Sequence, residues 1–260
     1  MTTVDLSGRT ALVTGGSRNV GRGIAHTLAR SGCSIAVLGG SDASALEETL
    51  AELDTLGVRC AGELADLADA DVLEAAVRRL RDAVGPPDIL VNNAAIRPHH
   101  ELEALATAEW DTVLAVNLRA PYLLSRWLIP EMVERSFGRI INVSGLDAFW
   151  GAQGKVHVVA AKAGLLGLTR GLAVECGGSG VTVNAIVPGV IDTDRSGAPE
   201  PVRRRLDRIV DRVPLGRMGT VDEVANVCLF LASDLSSYVT GESIAVSGGA
   251  FPALRPPIES

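Results

Sequence analysis

The sequence predicts one α/β domain on a doubly wound parallel sheet of seven strands, with helices on both faces. Three observations carry this. Short apolar runs alternate with helical patterns along the chain, as expected where helices cover both faces of a parallel sheet. A glycine-rich turn joins the first strand to the first helix. The 260 residues, 47% of them hydrophobic, suit a single core, since domains of this class run to about 250 residues.

The elements follow in order. Strand runs are read at Thr10–Val13, Ser34–Leu38, Val58–Gly62, Ile89–Val91, Arg139–Val143, Thr182–Val187 and Ser243–Val246. Helical spacing fills the gaps at Val20–Ser31, Ala45–Leu56, Ala70–Val84, Ala108–Arg135, Lys155–Cys176 and Val221–Ala232. Two helices open on capping-box spacing, Ser44-x-x-Glu47 and Thr220-x-x-Glu223, where hydroxyl and carboxylate each satisfy a free N–H. Strand–helix alternation implies right-handed crossovers. One segment departs from it. Near 194–216, Val202, Leu206, Ile209, Val210 and Val213 follow helical spacing, which predicts a short amphipathic helix over the carboxyl ends of the strands. The tail "FPALRPPIES" reads as irregular. A single domain over 1–260 is expected, with no linker or repeat.

Composition excludes several classes. A net charge of −7 argues against nonspecific nucleic-acid binding. No apolar run reaches the ~20 residues that span a bilayer, and "MTTVDLSGRTALVTGG" lacks signal-peptide features. The four cysteines are scattered without metal-ligand spacing, so no metal is expected and the thiols read as reduced and cytoplasmic. Among 24 basic residues only Lys155 and Lys162 are lysines.

The stretch "TGGSRNVGRGIA" places Gly15, Gly21 and Gly23 between the first strand and first helix. Glycine there lets the backbone turn tightly and approach a pyrophosphate at the helix N-terminus. With it come, in order, "VNNAA" (Val91–Ala95), "VNL" (Val116–Leu118), "AAKAGLLGLTRGLAVE", "VNAIVPGVIDT" (Val183–Thr193) and a final "SGGA". Over essentially the whole chain this resembles the short-chain dehydrogenase/reductase family, whose Rossmann domain binds a nicotinamide dinucleotide.

The resemblance implies a cofactor site. Gly15, Ser17, Arg18, Asn19, Val20 and Gly21 would form the phosphate loop. Asp66 and Leu67 would border the adenine, and Asn93, Ala94 and Ala95 would lie beneath the adenosine ribose, with Ala95 replacing the usual glycine. Lys162 would bond the nicotinamide ribose, while Pro188, Gly189, Ile191 and Thr193 would frame the nicotinamide. Users of NAD place an acid at the end of the second strand. Here Gly39 stands there, Asp42 comes three residues later, and Arg18 in the loop suits a 2′-phosphate. NADP(H) is therefore expected over NAD(H).

The family moves a hydride between nicotinamide and a carbonyl or alcohol carbon, and a tyrosine moves the proton. Asn117 and Lys162 match the asparagine and lysine of that site. The tyrosine position holds Val158, and the serine position Gly145, with Ser144 one residue away as a substitute hydroxyl. Replacement donors are His157, Lys155 and Asp147. Lys155 shares roughly one helix face with Val158 and Lys162, and His157 has the better intrinsic pKa but is rotated by ~100°. Arg97, His99 and His100 in "IRPHHE" could recognise an acidic substrate or form a solvated loop. The cluster Arg203–Arg205 could meet a phosphate or a carrier protein, or be a solvent face. Three functions stay open: an NADP(H)-dependent oxidoreductase on a small carbonyl or alcohol with a replacement acid; a cyclase, dehydratase or isomerase; or an inactive NADP(H)-binding partner. The family also implies a homodimer or homotetramer packed through the helices at Ala108–Arg135 and Lys155–Cys176.

Overall fold

In the computed structural model seven parallel strands stand in the order β3-β2-β1-β4-β5-β6-β7. They are β1 (Thr10–Thr14), β2 (Ser34–Gly39), β3 (Cys60–Leu64), β4 (Ile89–Asn92), β5 (Gly138–Val143), β6 (Val181–Pro188) and β7 (Ser243–Val246). The structure describes residues 4–193 and 210–251. The sheet and its flanking helices are the architecture the sequence predicts. Most of the amphipathic helix expected near 194–216, the Arg203–Arg205 cluster and the tail lie outside the described residues.

The chain reverses its strand order between β1 and β4. In doubly wound sheets this point opens a crevice at the carboxyl ends of the strands. β1, β4 and β5 are buried along their whole length, which fits their mostly apolar sequences. Period-2 alternation splits them between two cores. Ala11 and Val13 join Ile24 and Leu28 of α1 (Asn19–Arg30) and Val224 and Leu231 of α8 (Val221–Ala232) on one face. Leu12 and Leu90 join Leu73 and Leu80 of α3 (Ala70–Val84) and Leu124 and Leu128 of α5 (Ala120–Glu134) on the other. Gly23 lets α1 and α8 close up, since a Cβ there would stand 2.1 Å from Val221 Cγ1.

Several expectations are corrected. β3 runs two residues later than Val58–Gly62, at a sheet edge where burial is partial. α2 (Ala43–Asp54) is capped by Asp42, whose side chain accepts from Ala45 N, so Ser44 lies inside the helix and its capping box does not form. The Thr220–Glu223 box does form. The helix predicted over Ala108–Arg135 is broken into α4 (Thr107–Leu114), a π-helical segment at Ala115–Arg119, and α5. A short helix, α6 (Asp147–Trp150), precedes α7 (Val156–Glu175), and Lys155 caps α7 from just outside it.

Candidate active site

The switch point opens into a cleft of about 1000 Å³. One wall is the glycine turn between β1 and α1. Gly15 has φ +62, and a Cβ on Gly21 would meet Gly15 O at 2.1 Å and Asn93 Nδ2 at 2.4 Å. Only glycine permits that approach. Asn19 also takes a left-handed φ of 47, which asparagine tolerates better than most residues. Arg18 is the N-cap of α1 and makes no side-chain cap bond, so the first-turn N–H groups face the cleft without one. Free N–H groups and a helix dipole at a glycine turn fit a pyrophosphate.

Thr14 organises the second wall, a role the sequence reading missed. Its hydroxyl donates to Val91 O at 3.3 Å and accepts from Asn93 N and Ala94 N at 3.0 Å. Asn93 Nδ2 donates to Thr14 O at 3.0 Å and Gly15 O at 3.1 Å, so this side chain locks the turn from beneath. Gly15, Arg18, Asn19, Val20, Gly21, Asn93, Ala94, Ala95, Lys162, Pro188, Gly189, Ile191 and Thr193 all line the cleft. Ser17 and Gly39 stand just behind the turn, with Ser17 Oγ 3.6 Å from where a Gly39 Cβ would be. Asp66 and Leu67 follow β3; Asp66 is exposed, accepting from Ala68 N, and Leu67 is buried. Arg18 forms an ion pair with Asp42, 24 residues on. The acid three residues beyond Gly39 is therefore beside the arginine.

The far end holds the other candidates. Asn117 sits in the π-helical segment, fully buried, with Oδ1 accepting from Ile96 N and Nδ2 donating to Ile96 O, both at 2.9 Å. Its side chain clamps the loop after β4; π-helical segments are frequent at functional sites because they re-aim one residue. Lys162 is buried on the cleft floor and donates from Nζ to Val143 O at 2.7 Å. Burial, with the Arg97 guanidinium nearby, pushes its pKa down to about 7. Ser144 lines the cleft but its hydroxyl donates to Lys162 O at 3.1 Å.

Val158, four residues before Lys162, is fully buried against Val113 and Ala161. His157 is fully buried outside the cleft lining, its ring 6.5 Å from that of His100, and burial lowers its pKa. His100 in turn pairs with Glu109 of α4 at 3.0 Å. Lys155 does line the cleft. So does Arg97, whose Nη2 donates to Asp147 Oδ2 at 2.9 Å. The two residues are 50 positions apart, so nothing in the sequence marks them as a pair.

A glycine turn on a helix N-terminus at the switch point of a parallel sheet defines a dinucleotide-binding α/β protein. The comparisons make this specific. A family model described as enoyl-(acyl carrier protein) reductase matches residues 15–250. The 3-oxoacyl-[acyl-carrier-protein] reductase of Aquifex aeolicus is 38% identical over 95% of this chain and 99% of its own. A structure provisionally described as an NAD(P)-dependent gluconate 5-dehydrogenase from Beutenbergia cavernae, with NADP bound at low occupancy, superposes with TM-score 0.87 at 37% identity, covering 95% of this chain and 98% of that one. Another, provisionally described as a short-chain alcohol dehydrogenase from Sinorhizobium meliloti, gives 0.91 at 33% identity over 97% and 100%. The chain belongs to the short-chain dehydrogenase/reductase family. Among the described residues no helix is long and apolar enough to cross a membrane.

Proposed function

We propose that this chain is an NADP(H)-dependent oxidoreductase for a small carbonyl or alcohol substrate, and that Lys162 supplies the proton in place of a tyrosine. The observation that carries this is a buried lysine on the floor of the dinucleotide cleft, held by Val143 O. When bound, the nicotinamide supplies or accepts the hydride. The glycine turn and Asn93 hold the backbone open for the pyrophosphate. Arg18 stands at the mouth near the end of β2, where Gly39 offers no acid, and suits a 2′-phosphate while Asp42 orients it. The NADP in one family structure supports the same choice.

The proton assignment follows from position. Val158 has no proton to give and is packed among aliphatic side chains. His157 is turned toward His100, away from the cleft. Lys162 is in the cleft, and a pKa of about 7 lets it serve as acid or base near neutrality. Reduction leaves it as the amine; oxidation returns the ammonium. Asn117 holds the Ile96 loop that closes this end of the cleft. The helical face carrying Val174, 81% exposed, supports assembly as a homo-oligomer through α7.

The test is isotopic. NADPH deuterated at C4 is incubated with the protein and a panel of ketones that includes 3-oxoacyl thioesters, sugar-derived oxo acids and neutral diketones. Deuterium at the new carbinol carbon is the expected result. Tight NADPH binding with no label transferred to any ketone would overturn the redox reading and favour a cyclase, dehydratase or isomerase using the same cleft.

A further inference from the structure

We infer that Arg97 takes over the work of a serine hydroxyl at this site: its guanidinium, braced by Asp147, donates a hydrogen bond to the carbonyl oxygen of the substrate. The inference rests on the redox reading above and names the group that holds the reacting oxygen.

Four observations converge on Arg97. First, its backbone is fixed. Ile96, its neighbour, is gripped at both N–H and C=O by the buried side chain of Asn117. Second, its guanidinium stands beside position 145. A Cβ on Gly145 would lie 3.9 Å from Arg97 Nη2, in ordinary van der Waals contact, with no other atom outside its chain neighbours within 4 Å. Third, Asp147 holds Nη2 at 2.9 Å from the first residue of α6, which leaves the remaining N–H groups of a planar, preorganised fork to donate elsewhere. Fourth, Arg97 lines the same cleft as Lys162 and acts on it electrostatically. Ser144, which also lines the cleft, already spends its hydroxyl proton on Lys162 O.

The chemistry divides between the two cations. As hydride reaches the carbonyl carbon, the C=O π pair moves onto oxygen, and the guanidinium stabilises the charge that develops there. A guanidinium stays protonated at any working pH, so it cannot supply the proton. The Lys162 ammonium does, becoming an amine as the O–H bond forms. Oxidation runs the same steps in reverse. Arg97 also discourages the charged form of Lys162. The other charged groups lining the cleft are Arg18, Asp147, Lys155 and Arg212.

Arg97→Met tests this with two readouts. Loss of a single oxyanion donor costs about 10²–10³-fold in kcat, and that fall is expected with the best ketone of the panel. Independently of turnover, Lys162 should titrate at higher pH in the variant, followed by NMR of ¹³C-lysine in protein without substrate. Arg97→Lys, which restores charge but not the fork, should return the titration toward wild type more fully than the rate. A wild-type protein that transfers no hydride takes down both readings. An active wild type whose Arg97→Met variant keeps its kcat and its lysine titration takes down the Arg97 assignment alone.

Discussion

Around the glycine turn, main-chain groups and short amides shape the cleft; around Lys162, charged side chains do. The first region is redundant. Thr14 makes three hydrogen bonds and Asn93 makes two to the turn, so several contacts define one backbone path. The second hangs on single groups: one buried lysine, one ion pair between Arg97 and Asp147, and one clamped loop. Family sites differ in how readily they can be rewritten. A cradle held by several contacts to one backbone path keeps its shape unless that path itself is blocked. A proton path made of side chains can pass from one residue to another if the cleft keeps its charge.

The contrast can be broken most severely at Lys162. Lys162→Met should lower hydride transfer by at least ~10²-fold while NADPH still binds the turn, as read by single-turnover kinetics beside a fluorescence titration. In the wild type, reduction needs the ammonium, so its rate should fall as pH rises through about 7, and oxidation, which needs the amine, should rise through the same value. Stability carries the same signature with its own sign. Between about 7 and the unfolded-chain value near 10.4 the unfolded lysine binds a proton that the folded one does not, so this group makes the fold more stable as pH rises across that window. Urea titrations at several pH values measure it.

A comparable blow falls on the other region at Gly21. The Cβ of Gly21→Ala would lie 2.1 Å from Gly15 O, so the turn must open, and NADPH affinity should drop more than about tenfold, at least ~1.4 kcal/mol. Arg18→Ala is gentler and more selective: it should weaken NADPH by roughly tenfold and leave NADH nearly unchanged, because only one ligand carries the 2′-phosphate. The smallest effect belongs to neither region. Thr220→Ala removes the cap that accepts from Glu223 N and should cost about 1 kcal/mol of folding stability without touching either cofactor, as thermal melts with and without NADPH would report.

Much of the first region was legible in the sequence, because backbone requirements leave glycines at fixed spacing and apolar strands beside them. Less of the second was. Arg97 and Asp147 are 50 residues apart and meet only because β4 and β5 are neighbours in the sheet. The π-helical turn at Asn117 leaves no mark in helical spacing, and its buried side chain bonds a tertiary partner, the Ile96 backbone. Asp42 displaced Ser44 as the cap of α2 for a similar reason: it serves the helix and Arg18 together. The absence of a tyrosine at Val158 was plain in the sequence, but the burial of Lys162, on which its proposed role rests, required the fold.

The most direct test of the account uses the chain's two lysines. Protein labelled with ¹³C-lysine should give two side-chain Cε resonances, and the one that vanishes in Lys162→Met is assigned to Lys162. This resonance should titrate with a midpoint of about 7. A midpoint above about 10, the ordinary range for lysine, would mean that the fold does not lower this pKa, and would leave Lys162 unable to act as both acid and base near neutrality, as the proposed chemistry requires.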